Sequence, residues 1–147
     1  MEMTSPTETK SLEEKAAELA DELGILPDVD ARFEYLIGLG RHYPAMDDSF
    51  RRDENLLPGC VSQLWLHPEV RDGACVFHMD ADAQITKGLA AVVCGFYTGA
   101  PPEDVARVEP TFLEDTGLTQ QLTPNRRNGL GNLRARIRGF AEKAAAK

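Results

Sequence analysis

The stretch VSQLWLHPEVRDGACVFHMD, residues 61–80, decides the fold. Near its centre Asp72-Gly73 is a tight-turn pair, since both residue types accept the positive φ that a two-residue hairpin turn demands. Upstream, Val61, Gln63 and Trp65 alternate with Ser62, Leu64 and Leu66; downstream, Cys75, Phe77 and Met79 alternate with Ala74, Val76 and His78. A period of two predicts strands at 61–66 and 74–80, with HPEVRDG as the connection. The result is an antiparallel hairpin whose faces are half apolar.

Outward from the hairpin the pattern turns helical. Ser11 and Glu14 form a capping box ahead of Leu12, Ala16, Leu19 and Leu23, and Gly24 ends that helix. Asp28 or Asp30 caps a second helix with the stripe Phe33, Leu36, Ile37 and Gly40, closed by Pro44. The run MDDSFRRDEN, 46–55, is charged and aperiodic, which predicts an exposed loop with a short edge strand near Leu56 and Leu57. After the hairpin, Asp80 or Asp82 caps a strongly apolar central helix carrying Ile85, Leu89, Val92, Val93 and Phe96. Gly88 and Gly95 within it would let another backbone approach. GAPPEDVARV and PTFLEDTG predict two short helices opened by proline. Thr123 and Pro124 then start a last helix with Leu130, Leu133, Ile137 and Phe140 buried. Helices on a small antiparallel sheet make a two-layer α+β fold, with one domain over 11–147 and an unordered polar tail over 1–10.

The chain has 147 residues, 42% of them hydrophobic, enough for one continuous core. With 24 acidic against 16 basic side chains the net charge is −8, which disfavours nucleic acid as a partner. The charge is uneven. Residues 126–147 hold seven basic and one acidic residue, net +6, and residues 1–125 hold nine basic and 23 acidic, net −14. Either Arg134, Arg136, Arg138 and Lys143 solvate a helix, or they form a docking face on an acidic body. The N-terminus lacks the marks of a signal peptide, and the longest apolar run, GLAAVVCGFY, is too short for a membrane span. A cytoplasmic location is expected. Three widely spaced cysteines fit reduced thiols there better than a disulfide framework.

Cys60 follows Pro58-Gly59 where loop becomes strand, a place from which a thiol can reach outward. Cys75, in a strand beside Phe77 and Met79, and Cys94, inside AVVCGF, read as core thiols. Ligand pairs of the zinc-binding kind are missing, because the cysteines are separate and His42, His67 and His78 are scattered, so no metal is expected. A Cys60–His67 dyad would need the chain to turn back, since seven extended residues span about 20 Å. The sequence has no Gly-rich phosphate loop.

PGCVSQLWL resembles the Gly-Cys-x-Ser-x-hydrophobic-Trp loop of the SufE-type sulfur-acceptor family. DADAQITKGLAAVV (80–93), LTQQLTPNRRNGL (118–130) and EYLIGLGRHYPAM are similar to three further family blocks, in the family's order. The resemblance implies a SufE/NifU-like fold and a persulfide relay. Cys60 would take sulfur from a pyridoxal-phosphate cysteine desulfurase, stimulate that enzyme and pass the sulfur on toward a cluster scaffold, with no cofactor on this chain. It also implies partner-facing roles for Asp82 and Arg126 near the acceptor loop; the plainer readings are a helix cap for Asp82 and a first-turn charge for Arg126. Trp65 is expected to pack beneath the loop. Two other readings of Cys60 stay open at this level: packing within a module that activates a desulfurase by docking alone, or a redox-sensing thiol.

Overall fold

The computed structural model describes residues 11–57 and 63–147. Strands β1 (Leu64–Arg71) and β2 (Ala74–Ala81) pair antiparallel in the register that joins Leu64 to Ala81 and Arg71 to Ala74. Only Asp72 and Gly73 turn the chain, at φ 54° and 82°, the two left-handed positions of the tightest hairpin loop. β1 therefore runs straight through HPEVR, which the sequence reading assigns to the connection.

Pro68 is tolerated there for a definite reason. It faces Phe77, whose N–H donates to Thr98 Oγ1 at 3.2 Å and whose carbonyl accepts from the Tyr43 hydroxyl at 2.6 Å. Both groups point away from β1, so the pair needs no proline N–H. The outer edge of β2 is closed further along, where Cys75 N–H donates to the Ala100 carbonyl and Gly99 N–H to the Cys75 carbonyl, each at 2.8 Å. On the other side of the hairpin Leu56 adds a single bridge to Trp65, all that remains of the expected edge strand.

One face of the hairpin (Leu64, Leu66, Cys75, Phe77, Met79, Ala81) is buried under helices. Helices α1 (Leu12–Ile25) and α2 (Val29–His42) precede the sheet; α3 (Gln84–Tyr97), α4 (Pro102–Arg107), α5 (Phe112–Asp115) and α6 (Pro124–Ala145) follow it. They share one core that runs from Leu12 to Ala141, in which Phe77 meets Tyr97 and Phe140 edge-on and Phe96 meets Phe112. This is the two-layer α+β arrangement. The Ser11–Glu14 capping box, the Asp28 cap on Ala31 N–H and the Thr123 cap on Arg126 N–H all form as expected. α3 is different. Its cap residue is Ala83, with no side-chain hydrogen bond, because the carboxylates of Asp80 and Asp82 are engaged elsewhere.

The two α3 glycines also part company. A Cβ on Gly88 would stand 2.6 Å from the Leu36 carbonyl oxygen, and one on Gly40 would stand 3.1 Å from Gly88 N, so α2 and α3 cross backbone to backbone. Gly95 is exposed, and a Cβ there meets nothing closer than Tyr43 Cε1 at 3.8 Å, so the expected close approach occurs at Gly88 alone of the pair. Gly88→Ala should therefore cost about 1–3 kcal/mol by forcing the helices apart. Gly95→Ala should instead stabilise by about 0.5–1 kcal/mol through helix propensity. Urea denaturation of the two variants checks this difference in sign.

Candidate functional site

The sequence singles out Cys60, which lies outside the described residues, as do Pro58, Gly59, Val61 and Ser62. The described residues supply the two anchors between which that segment runs. Before it, Leu57 is buried and its N–H donates to the Leu64 carbonyl at 2.8 Å. After it, Gln63 N–H donates to Asp82 Oδ1 at 3.0 Å, while Asp82 N–H donates to the Gln63 carbonyl at 3.2 Å. Cys60 is the third residue beyond Leu57 and the third before Gln63. Asp82 thus ties the return of this segment to the end of β2, rather than capping α3.

Asp80, two residues earlier, holds the approach to the segment. Its carboxylate accepts from Arg51 Nε at 3.2 Å and from Arg51 Nη2 at 2.5 Å, and lies 3.2 Å from Lys87 Nζ. Partial burial alone would raise its pKa, but Arg51, the Ala81 amide and Lys87 together hold it below the usual carboxylate range. Arg51 belongs to the charged run 46–55, expected to be a bare exposed loop. That run instead folds into short 3-10 turns at Asp48–Phe50 and Asp53–Asn55 and buries Met46 and Asn55. The signal in the sequence is the presence of two carboxylates, Asp80 and Asp82, where one helix cap suffices.

The face of the hairpin turned away from the helices carries Trp65, His67 and Glu69 opposite Asp80, His78 and Val76. Trp65 is half-buried there. The histidines that look scattered in sequence meet across the strands: the His67 and His78 rings lie 5.8 Å apart, Phe50 stacks on His67 at 3.9 Å, and His78 Nε2 lies 2.5 Å from Glu69 Oε2. His42 is elsewhere, bonded through Nδ1 to the Gly38 carbonyl. Among the described residues, no group of three or more His, Cys, Asp or Glu is placed to hold a metal ion.

The other two thiols are sealed. Cys75 and Cys94 are each 0% exposed. Burial, with a smaller contribution from Glu103, pushes the Cys75 thiol up to about 11, and burial raises Cys94 further. Neither holds appreciable thiolate near neutral pH.

Arg126 sits half-buried in the first turn of α6, its N–H donating to Thr123 Oγ1 at 3.3 Å. Among the described residues no hydrogen bond or ion pair joins its side chain to Asp82. The basic character of α6 is partly neutralised within the chain: Arg134 pairs with Glu109 at 2.9 Å and Glu114 at 3.2 Å, and Arg138 pairs with Glu109. Half of the four-residue basic face is therefore intramolecular. No helix among the described residues is long and apolar enough to cross a membrane.

The SufE family model, described as an Fe-S metabolism associated domain, matches residues 17–141. An uncharacterized SufE-like protein of Synechocystis is 35% identical over 106 residues, covering 72% of this chain and 67% of that protein. An uncharacterized SufE-like protein of Rhizobium meliloti is 32% identical over 130 residues, covering 85% of this chain and 93% of that protein. The solution structure of a hypothetical protein from Thermus thermophilus superposes with a TM-score of 0.75 over 90% of this chain and 97% of that one, at 22% identity, a likeness of fold. The chain belongs to the SufE family of Fe-S metabolism associated domains.

The aromatic stack over the anchoring turns carries a pH dependence. Desolvation, then the neighbouring His78 and to a smaller extent Arg52, lower the His67 pKa, against smaller opposing effects from Glu69 and Glu54. Folding thus favours neutral His67, and as pH falls through about 6.5 the unfolded chain gains the extra proton first, so stability present at neutral pH is lost. His67→Phe keeps a ring against Phe50 and removes this titration. Its urea midpoint should fall less than the wild-type midpoint between about pH 7.5 and 5.5.

Proposed function

We propose that this chain carries sulfur on Cys60, accepting it from a pyridoxal-phosphate cysteine desulfurase and delivering it toward iron–sulfur cluster assembly. The observation that supports this most is the sealing of Cys75 and Cys94, which removes both as nucleophiles. Family membership and the paired anchors at Leu57 and Gln63 point the same way.

The transfer is a thiol–disulfide-type exchange. The Cys60 thiolate attacks the outer sulfur of the donor's persulfide, a new S–S bond forms at Cys60, the old S–S bond breaks, and the donor leaves as a thiolate. No net oxidation or reduction occurs, and this chain needs no cofactor for it. Asp82 positions the segment by holding Gln63, and Arg126 contributes to the docking face. The unit that works is residues 11–147, in a reducing, cytoplasmic setting suited to persulfide chemistry. Removing the product persulfide is also how the chain stimulates its desulfurase.

Incubation with a cysteine desulfurase and free cysteine, followed by intact-mass measurement, tests the assignment. The wild type should gain one sulfur atom, and Cys60→Ser should gain none while melting as the wild type does. Extra sulfur on Cys75 or Cys94, or full stimulation by Cys60→Ala, would contradict it, the latter in favour of activation by docking alone. Asp82→Ala should slow sulfur loading several-fold with little change in melting temperature. Asp82→Asn, whose amide oxygen still accepts from Gln63 N–H, should recover most of the rate.

A further inference from the structure

One side of α6 faces β1 across an open groove of about 500 Å³. Leu57, Pro68 and Phe140 give it an apolar lining, and Arg136 and Lys143 stand in its wall. The space beside Gly139 is empty, since a Cβ built there meets nothing within 4 Å. Arg134 and Arg138 are neutralised by Glu109 and Glu114, but among the described residues Arg136 and Lys143 have no hydrogen-bond or ion-pair partner. These are two cations without an internal partner on a chain of net charge −8. They are therefore available to the carboxylates of another molecule.

The position of the groove narrows what that molecule is. Leu57 is both part of its lining and the last described residue before the segment that holds Cys60. A protein bringing a persulfide to Cys60 would therefore lie over this end of the groove. An extended polyanion such as nucleic acid would be repelled by the net −14 of residues 1–125, and a small free anion would have no use for the apolar lining.

We propose that this groove docks an acidic segment of the desulfurase, with one aliphatic or aromatic side chain against Leu57, Pro68 and Phe140 and flanking carboxylates on Arg136 and Lys143. The proposal rests on the reading of Cys60 as the sulfur acceptor. It makes half of the basic face of α6 a recognition surface and the other half a brace for α5 and the connection that precedes it.

Two variants test it from different directions. Arg136→Glu/Lys143→Glu reverses the charge, and Gly139→Trp fills the groove where the space is empty. Each should melt near the wild-type temperature, and each should weaken desulfurase binding by about tenfold or more in calorimetry. The desulfurase concentration for half-maximal sulfur loading should rise in step, with the rate at saturation kept. Raising salt should weaken wild-type binding far more than binding of the double variant. Binding within twofold of wild type by both variants would overturn the proposal.

Should no desulfurase load wild-type Cys60, the acceptor reading fails, and the groove is judged alone. For that, the ¹⁵N-labelled chain is titrated with the acetylated, amidated peptides Glu-Glu-Leu-Glu-Glu and Lys-Lys-Leu-Lys-Lys. Amide shifts at Arg136, Gly139 and Lys143 with the acidic peptide only are expected. No shifts there, or equal shifts from both peptides, would overturn the docking surface independently.

Discussion

The pairing of β1 with β2 governs the geometry, because a two-stranded sheet is marginal in water and survives only if its faces and edges are covered. Here helices cover one face, and the turns around Phe50 and Arg51 lie on the other. Tyr43, Thr98, Gly99 and Ala100 satisfy the outer edge of β2. Once this register is set, alternation sends Cys75 inward with Phe77 and Met79 and sends Asp80 outward to Arg51. It also brings Asp82, just past β2, beside Gln63, just before β1. The segment carrying Cys60 is held at one end by Leu57 against β1 and at the other by the same pairing that shuts Cys75 away. Structure and candidate chemistry thus share one cause.

Much of this was legible in the sequence, and unevenly so. The turn at Asp72-Gly73, the capping box at Ser11, the Thr123-Pro124 start of α6 and the burial of both core cysteines follow from local rules that tertiary structure did not overrule. The strand through Pro68 was missed because its tolerance depends on where Phe77 sends its backbone groups, which no local pattern encodes. Local sequence offers either Asp80 or Asp82 as the cap, since each has the right residue type at the right distance. What decided otherwise was the arrival of Arg51 and Gln63 from other parts of the chain. The two histidines looked scattered for a similar reason: eleven residues apart in sequence, they become direct neighbours only through the hairpin register.

Charge follows the same division between local and tertiary information. Sequence shows that α6 is basic, and only packing shows that Arg134 and Arg138 meet Glu109 and Glu114 while Arg136 and Lys143 face an open groove. Exposed ion pairs of this kind contribute little stability individually. Their effect here is to sort four like charges into an internal pair and an outward pair, which total charge alone does not reveal.

Differential thiol labelling tests the central claim most directly. Native protein is treated briefly with a maleimide, quenched, unfolded, labelled with a second mass tag and mapped by peptide. The account predicts the first tag on Cys60 and the second on Cys75 and Cys94, with the first reaction accelerating as pH rises toward the ordinary thiol pKa. First-tag labelling of Cys75 or Cys94 at a rate comparable to Cys60, or a Cys60 that reacts only after unfolding, would contradict it.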